Sequence, residues 1–202
     1  MKNNSSLNVN ITLNGIGVND MKLMFASDLH GSAYWTKKVL ERFKEEQADY
    51  LVLLGDLLYH GPRNPLPKEY NPQAVIQLLN GVKHKIIAIR GNCDSEVDQM
   101  VLEFPITADY NIIPFKNRKL MASHGHLYDE NKLPSSLGEG DIFIFGHIHI
   151  PVLKQVEGIY LLNPGSATLP KEDHPNSYAI LEDDFFKVKT FDGEIYQQLK
   201  LI

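Results

Sequence analysis

The chain has 202 residues, 43% hydrophobic and 22% charged, which is enough to bury a sizeable core at the usual size of one domain. A net charge of -5 and a pI near 5.9, with scattered lysines and arginines, exclude the basic field that holds a nucleic-acid backbone stably. The single cysteine excludes an internal disulfide, Cys-rich zinc motifs and Cys-x-x-Cys redox motifs. No apolar run reaches membrane-spanning length and residues 1–20 lack a secretory core, so a cytoplasmic protein is expected.

Residues 1–20 are Asn-rich and read as a polar extension, although Leu7, Val9, Ile11 and Leu13 alternate as an edge strand would. The domain is expected over residues 21–202. Lys22 to Ala26 reads as a buried strand, Ala33 to Gln47 as a helix carrying Val39, Leu40 and Phe43, and Tyr50 to Leu54 as a second buried strand. A Pro-rich loop from His60 to Pro72 leads to a helix near Gln73 to Asn80 and a third strand, Lys85 to Ile89. This β-α-β-α-β order predicts a partly parallel sheet.

The second half changes to short strands: Asn111–Phe115, Lys119–Ser123, Asp141–Phe145, Pro151–Val156, Ile159–Leu162, Ser177–Leu181 and Phe185–Thr190. Two packed sheets flanked by helices, an α/β fold built on a β-sandwich, would bury them.

Metal-capable side chains fall just after the apolar runs. Asp28 and His30 follow the first strand, Asp56 the second, Asn92 the third, and His124, His147 and His149 follow two later ones. Alone, an Asp-x-His or a Gly-Asp is an ordinary turn. Together, at the carboxyl ends of strands where α/β sheets bind ligands, they predict one cleft. In an extended segment residues i and i+2 point the same way, so Asp28 with His30, and His147 with His149, would each present two ligands. Carboxylate, amide and imidazole donors suit Mn, Fe, Zn or Ni better than a thiolate site would.

The ordered set Asp-x-His, Gly-Asp, Gly-Asn, His and Gly-His-x-His resembles the calcineurin-like metallophosphoesterase superfamily over Met21 to about Pro170. The segments around Lys22 to Asp28, His60 to Asn64, Arg90 to Met100 and Asn163 to Ser166 look like the small YfcE-type phosphodiesterases. The resemblance implies a helix-flanked β-sandwich and two divalent ions, Mn2+ first among them. Asp28, His30 and His149 would hold one ion, Asn92, His124 and His147 the other, and Asp56 would bridge. It further implies a phosphodiesterase in which a metal-bridging hydroxide attacks phosphorus, with a small phosphodiester as substrate. Catalytic roles fall to Asp56, Asn92 and His126, the last as a general acid or phosphate-orienting group, with a supporting or solvent-facing place as its alternative.

Cys93 departs from the superfamily pattern, where many members have a histidine thought to protonate the leaving group. That departure favours diesters or esters with good leaving groups. His60 and Arg63 are read either as substrate or subunit contacts or as loop anchors, and the Asn163-Pro164-Gly165-Ser166 turn as a support for a ligand loop. The rival function is a metallophosphoesterase-fold interaction scaffold, against which every expected ligand position is filled. A nuclease would be expected to add a basic groove. A homo-oligomer is an expectation of the resemblance alone.

Overall fold

The computed structural model describes residues 21–202, and the expectations for residues 1–20, a polar extension or added edge strand, lie outside the described residues. Among the described residues, eleven strands form two sheets. The first strand, β1 (Leu23–Ala26), runs parallel to β2 (Tyr50–Leu53), which runs parallel to β3 (Ile86–Ala88). On the other side of β1, antiparallel β9 (Ser177–Glu182), β10 (Phe185–Thr190) and β11 (Ile195–Lys200) complete a six-stranded sheet. The second sheet orders β4 (Tyr110–Phe115), β5 (Arg118–Ser123), β6 (Ile142–Ile144), β8 (Ile159–Pro164) and β7 (Pro151–Val156). Its central strands β5, β6 and β8 are parallel, with antiparallel edges.

The two-residue period of the strands sorts their apolar side chains between layers. Leu23 and Phe25 of β1, with Val52 of β2, face the second sheet and pack with Leu120, Ala122, Ile142, Ile144 and Leu162. Their neighbours Met24, Ala26, Leu51 and Leu53 face the other way, onto the helices. Full burial of side chains of this size is worth about 2 kcal/mol each, so a one-residue slip of β1 would lose both layers at once.

Helix α1 (Ala33–Glu46) starts where the Ser32 side chain accepts the Trp35 N–H at 3.2 Å, and it ends at Gln47 in left-handed backbone. Helix α2 (Pro72–Asn80) starts with Asn71 accepting the Ala74 N–H at 3.1 Å and Pro72 in its first turn; it buries Val75 and Leu79, one turn apart. Both cover the outer face of the first sheet. The outer face of the second sheet is covered differently: Phe143, Phe145 and Leu161 pack under Tyr128, Leu133 and Leu137 of the long segment between β5 and β6. The helices therefore flank one side of the sandwich.

Three elements escape the sequence reading, the first a 3-10 turn over Lys83–Lys85 ahead of β3. Helix α3 (Glu96–Gln99) is one turn long, capped by a Ser95–Asp98 box, and β11 is a mostly exposed edge strand. No helix among the described residues is long and apolar enough to cross a membrane.

Candidate metal centre

The site forms where the parallel strands of both sheets end. After β1 the chain turns sharply through Asp28 and His30, and its N–H groups are laced to the loop after β2: Asp28 N–H to Gly55 O at 3.2 Å, His30 N–H to Asp56 O at 2.8 Å. On the second sheet, Gly146 N–H donates to His124 O at 2.8 Å, and His147 N–H crosses between the sheets to Asp28 Oδ2 at 3.2 Å.

Asp28, His30, Asp56, His147 and His149 all have left-handed backbone, with φ of 60, 48, 55, 67 and 63°. Such residues cost on the order of 1 kcal/mol each and persist only where the surroundings fix them. They also correct the expected geometry. Asp28 with His30, and His147 with His149, are not extended i, i+2 pairs; turns, rather than strand alternation, aim these side chains.

The donors fall into two adjoining groups. In the first, the Nδ1 atoms of His30 and His149 are bound to backbone carbonyls, Tyr59 O at 2.9 Å and Leu169 O at 2.5 Å. Only a protonated Nδ1 can make those bonds, so each neutral ring presents its Nε2 lone pair. The two Nε2 atoms face one another at 3.3 Å. Asp28 Oδ1, fully buried and without a hydrogen bond, lies 3.2 Å from His149 Nε2 and 3.7 Å from His30 Nε2. Three electron-rich atoms converging in a buried space is an arrangement that a cation resolves.

In the second group, His124 Nδ1 donates to Leu54 O at 2.6 Å, leaving Nε2 towards Asn92 Oδ1 at 3.1 Å and Asp56 Oδ1 at 3.4 Å. Asp28, Asp56 and His124 offer ligand atoms within 4.8 Å of one another, as do Asp28, His30 and His149. Asp56 stands between the groups, its Oδ1 towards His124 and its Oδ2 3.8 Å from His30 Nε2. His147 packs its ring 5.1 Å from that of His124 and lines the same cleft, outside both tight groups.

Electrostatics follow from this crowding. Burial pushes the Asp28 carboxyl up, but the nearby His149 imidazole, with the charges of His124 and His30 behind it, holds it well below the usual range. Burial pulls His124 down, yet Asp56 and Asp28 raise it to about 9. His149 is raised in the same way by Asp28 against its burial. His126 and His147 are lowered, by burial and then by the His124 charge. Without a bound ion, protons on His124 and His149 balance the carboxylates; divalent cations would replace them.

The supports of the site are legible only in three dimensions. Asp94, which motif reading passes over, is a buried carboxylate accepting the N–H groups of Asp56, Leu57 and Gly91 at 2.8, 2.7 and 2.8 Å. Gly91 comes so close to the loop after β2 that a Cβ on it would lie 2.1 Å from Asp56 Oδ1. The Asn163–Ser166 turn braces both sheets' loops. Asn163 Nδ2 donates to Gly146 O at 2.9 Å, while Ser166 Oγ accepts the N–H of Leu169, whose carbonyl holds His149.

Cys93 Sγ lies in a third grouping with His30 and Asp56. Burial and the Asp56 charge push its thiol up to about 12, so in the metal-free protein it is neither a thiolate nor a useful acid near neutral pH. What Cys93 supplies is its backbone N–H, donated to Asp56 Oδ1 at 2.8 Å. His126 packs 5.4 Å from the His124 ring with its Nδ1 buried and unpartnered among the described residues. His60 is wedged between Tyr59 and Tyr70 and its carbonyl accepts Asn64 Nδ2, the arrangement of a loop anchor. Arg63 reaches the cleft, and so does Lys171, which the sequence reading missed.

Comparison with known proteins identifies the family. Phosphodiesterase YfcE of Escherichia coli (strain K12) is 51% identical over 168 residues, spanning 83% of this chain and 91% of that protein. A probable metallophosphoesterase, YsnB of Bacillus subtilis, is 27% identical over 85% of this chain and 91% of its own length. The solved structure of the E. coli phosphoesterase Yfce superposes with a TM-score of 0.88 at 48% identity, covering 90% of this chain and all of that one. The family model of the calcineurin-like phosphoesterase superfamily domain matches residues 21–184, and the chain belongs to that superfamily.

Proposed function

We propose that residues 21–202 form one catalytic domain, a metal-dependent phosphodiesterase that holds two divalent ions. Asp28, His30 and His149 would hold one ion, Asn92, His124 and His147 the other, with Asp56 between them. The observation that carries this reading is the placement of Asp56, whose two carboxylate oxygens face His30 and His124 respectively. A hard and borderline donor set of carboxylates, an amide and imidazoles fits Mn2+ or a similar ion. Two such ions would supply Lewis acidity towards a phosphoryl oxygen and a water acidic enough to yield a bridging hydroxide near neutral pH for attack on phosphorus.

The chain's own part is to hold and orient. Backbone carbonyls fix the tautomers of His30, His124 and His149, and Asp94 with the Cys93 N–H holds the Asp56 loop in register. Asn92 Oδ1 points at His124 from the open side of the cleft, where it can also meet substrate. His126 is assigned the orienting role at the edge, through its unpartnered Nδ1.

The diester preference rests on the 51% identical relative, a phosphodiesterase, and Cys93 bears on the leaving group. No acid near neutral pH stands at that position to protonate a poor leaving group, so esters with good leaving groups are favoured. The test is hydrolysis by the Mn2+-loaded protein of an aryl phosphodiester and the matching monoester. Faster diester cleavage, abolished by a chelator, is expected; chelator-insensitive turnover or a monoester preference would refute it.

A further inference from the structure

Arg63 and Lys171 both line the metal cleft, beside Asn92 and His147. They arrive from loops far apart in the chain, and both loops are pinned. Around Arg63, Asn64 donates its N–H to Gly61 O at 3.3 Å and its side-chain amide to His60 O at 2.9 Å, while Pro62 and Pro65 stiffen the turn. Gly61, at φ 78°, lies so near Cys93 that a Cβ on it would be 3.3 Å from Sγ. Lys171 donates its backbone N–H to His149 O at 3.2 Å. Lys171 is thus held by a backbone bond to His149, and Arg63 sits in a turn bonded within itself that packs against Cys93.

Neither side chain has a structural occupation. Among the described residues, no carboxylate lies within 4.0 Å of either. Every other described lysine and arginine is paired with a carboxylate, lies over an aromatic ring, or, for Lys44, closes the last turn of α1, where the helix dipole favours a cation. A chain with net charge -5 therefore leaves two positive charges unneutralised on one rim.

This inference rests on the metal-dependent reading above, in which the charge of the scissile diester is met by the ions. A singly charged ester leaves the rim cations nothing to neutralise. We infer that the cleft selects phosphodiesters whose non-reacting arm carries a second anionic group, read by Arg63 and Lys171. The planar Arg63 fork suits a bidentate oxyanion and Lys171 adds a point charge.

A matched pair of substrates isolates the charge: a 4-nitrophenyl phosphodiester whose other arm is 3-carboxypropyl, and the same ester with the carboxylate replaced by carboxamide. Wild type is expected to show a KM lower for the carboxylate ester by on the order of tenfold. Added salt should shrink that ratio. In the Arg63→Gln, Lys171→Gln double variant, with metal content verified, the ratio should collapse towards one; both residues are exposed, so the fold does not depend on them. Equal KM values in wild type, or an undiminished ratio in the double variant, would overturn the inference. Calorimetric titration with the same two esters reads the preference from binding alone. Charge-selective binding without turnover would support the recognition pair and count against the phosphodiesterase reading, whereas turnover without charge selection would do the reverse.

Discussion

The Nε2 atoms of His30 and His149, 119 positions apart in the chain, face one another at 3.3 Å, each ring locked by a backbone carbonyl on its far side. Two lone pairs in that position repel unless a proton or a cation lies between them, so an incoming metal ion would have to displace protons.

Metal affinity should consequently fall as pH falls. His124 is raised to about 9, so below that value the metal-free protein carries a proton that an incoming ion must displace. The sign is fixed: a proton bound in the free state and absent from the bound state weakens binding as pH drops. Between about pH 8 and about pH 6 the apparent Kd for Mn2+ should rise about tenfold or more per pH unit, and calorimetry should detect proton release. An affinity flat across that range would contradict the assignment of His124 as a ligand.

Replacing the Cys93 side chain should matter little, because the residue acts through its backbone N–H to Asp56. Cys93→Ser is expected to keep kcat for an aryl diester within about threefold of wild type, with unchanged metal content, since an acid so weak contributes little proton transfer. A collapse of kcat with metal retained would assign the thiol a direct chemical role; loss of metal would make it a ligand.

Asp94 should be the most sensitive residue outside the ligand set. Asp94→Ala strips the partner from three backbone N–H groups in the loops that carry Asp56 and Asn92. Leaving buried donors unpaired costs on the order of 3 kcal/mol in total, and displacing the loops should weaken metal binding about tenfold or more. Thermal unfolding and a metal titration check the two effects separately; wild-type values in both would remove Asp94 from the support of the site.

The sandwich was legible because its strands are short apolar runs, and ten of the eleven were placed within about two residues at either end. The exception, β11, spells Ile195-Tyr196-Gln197-Gln198-Leu199-Lys200 on an exposed edge, where little burial marks the pattern. The candidate ligand positions could be picked out because Asp, Asn and His beside Gly recur at strand ends. The local geometry could not: five residues in left-handed backbone turn their side chains inward, and no periodicity encodes that. Asp94 and Lys171 were missed for a related reason. A carboxylate that braces a loop and a lysine that faces a cleft look, in sequence, like any surface charge, and only the fold shows which N–H groups and which opening they meet.

The central claim is most directly tested by counting ions. After loading with Mn2+ and removal of excess metal, elemental analysis should find about two ions per chain in wild type. In Asp56→Asn it should find at most one, with aryl diester hydrolysis reduced at least about a hundredfold. One ion per chain in wild type, or two ions and undiminished activity in the variant, would contradict a centre spanned by Asp56.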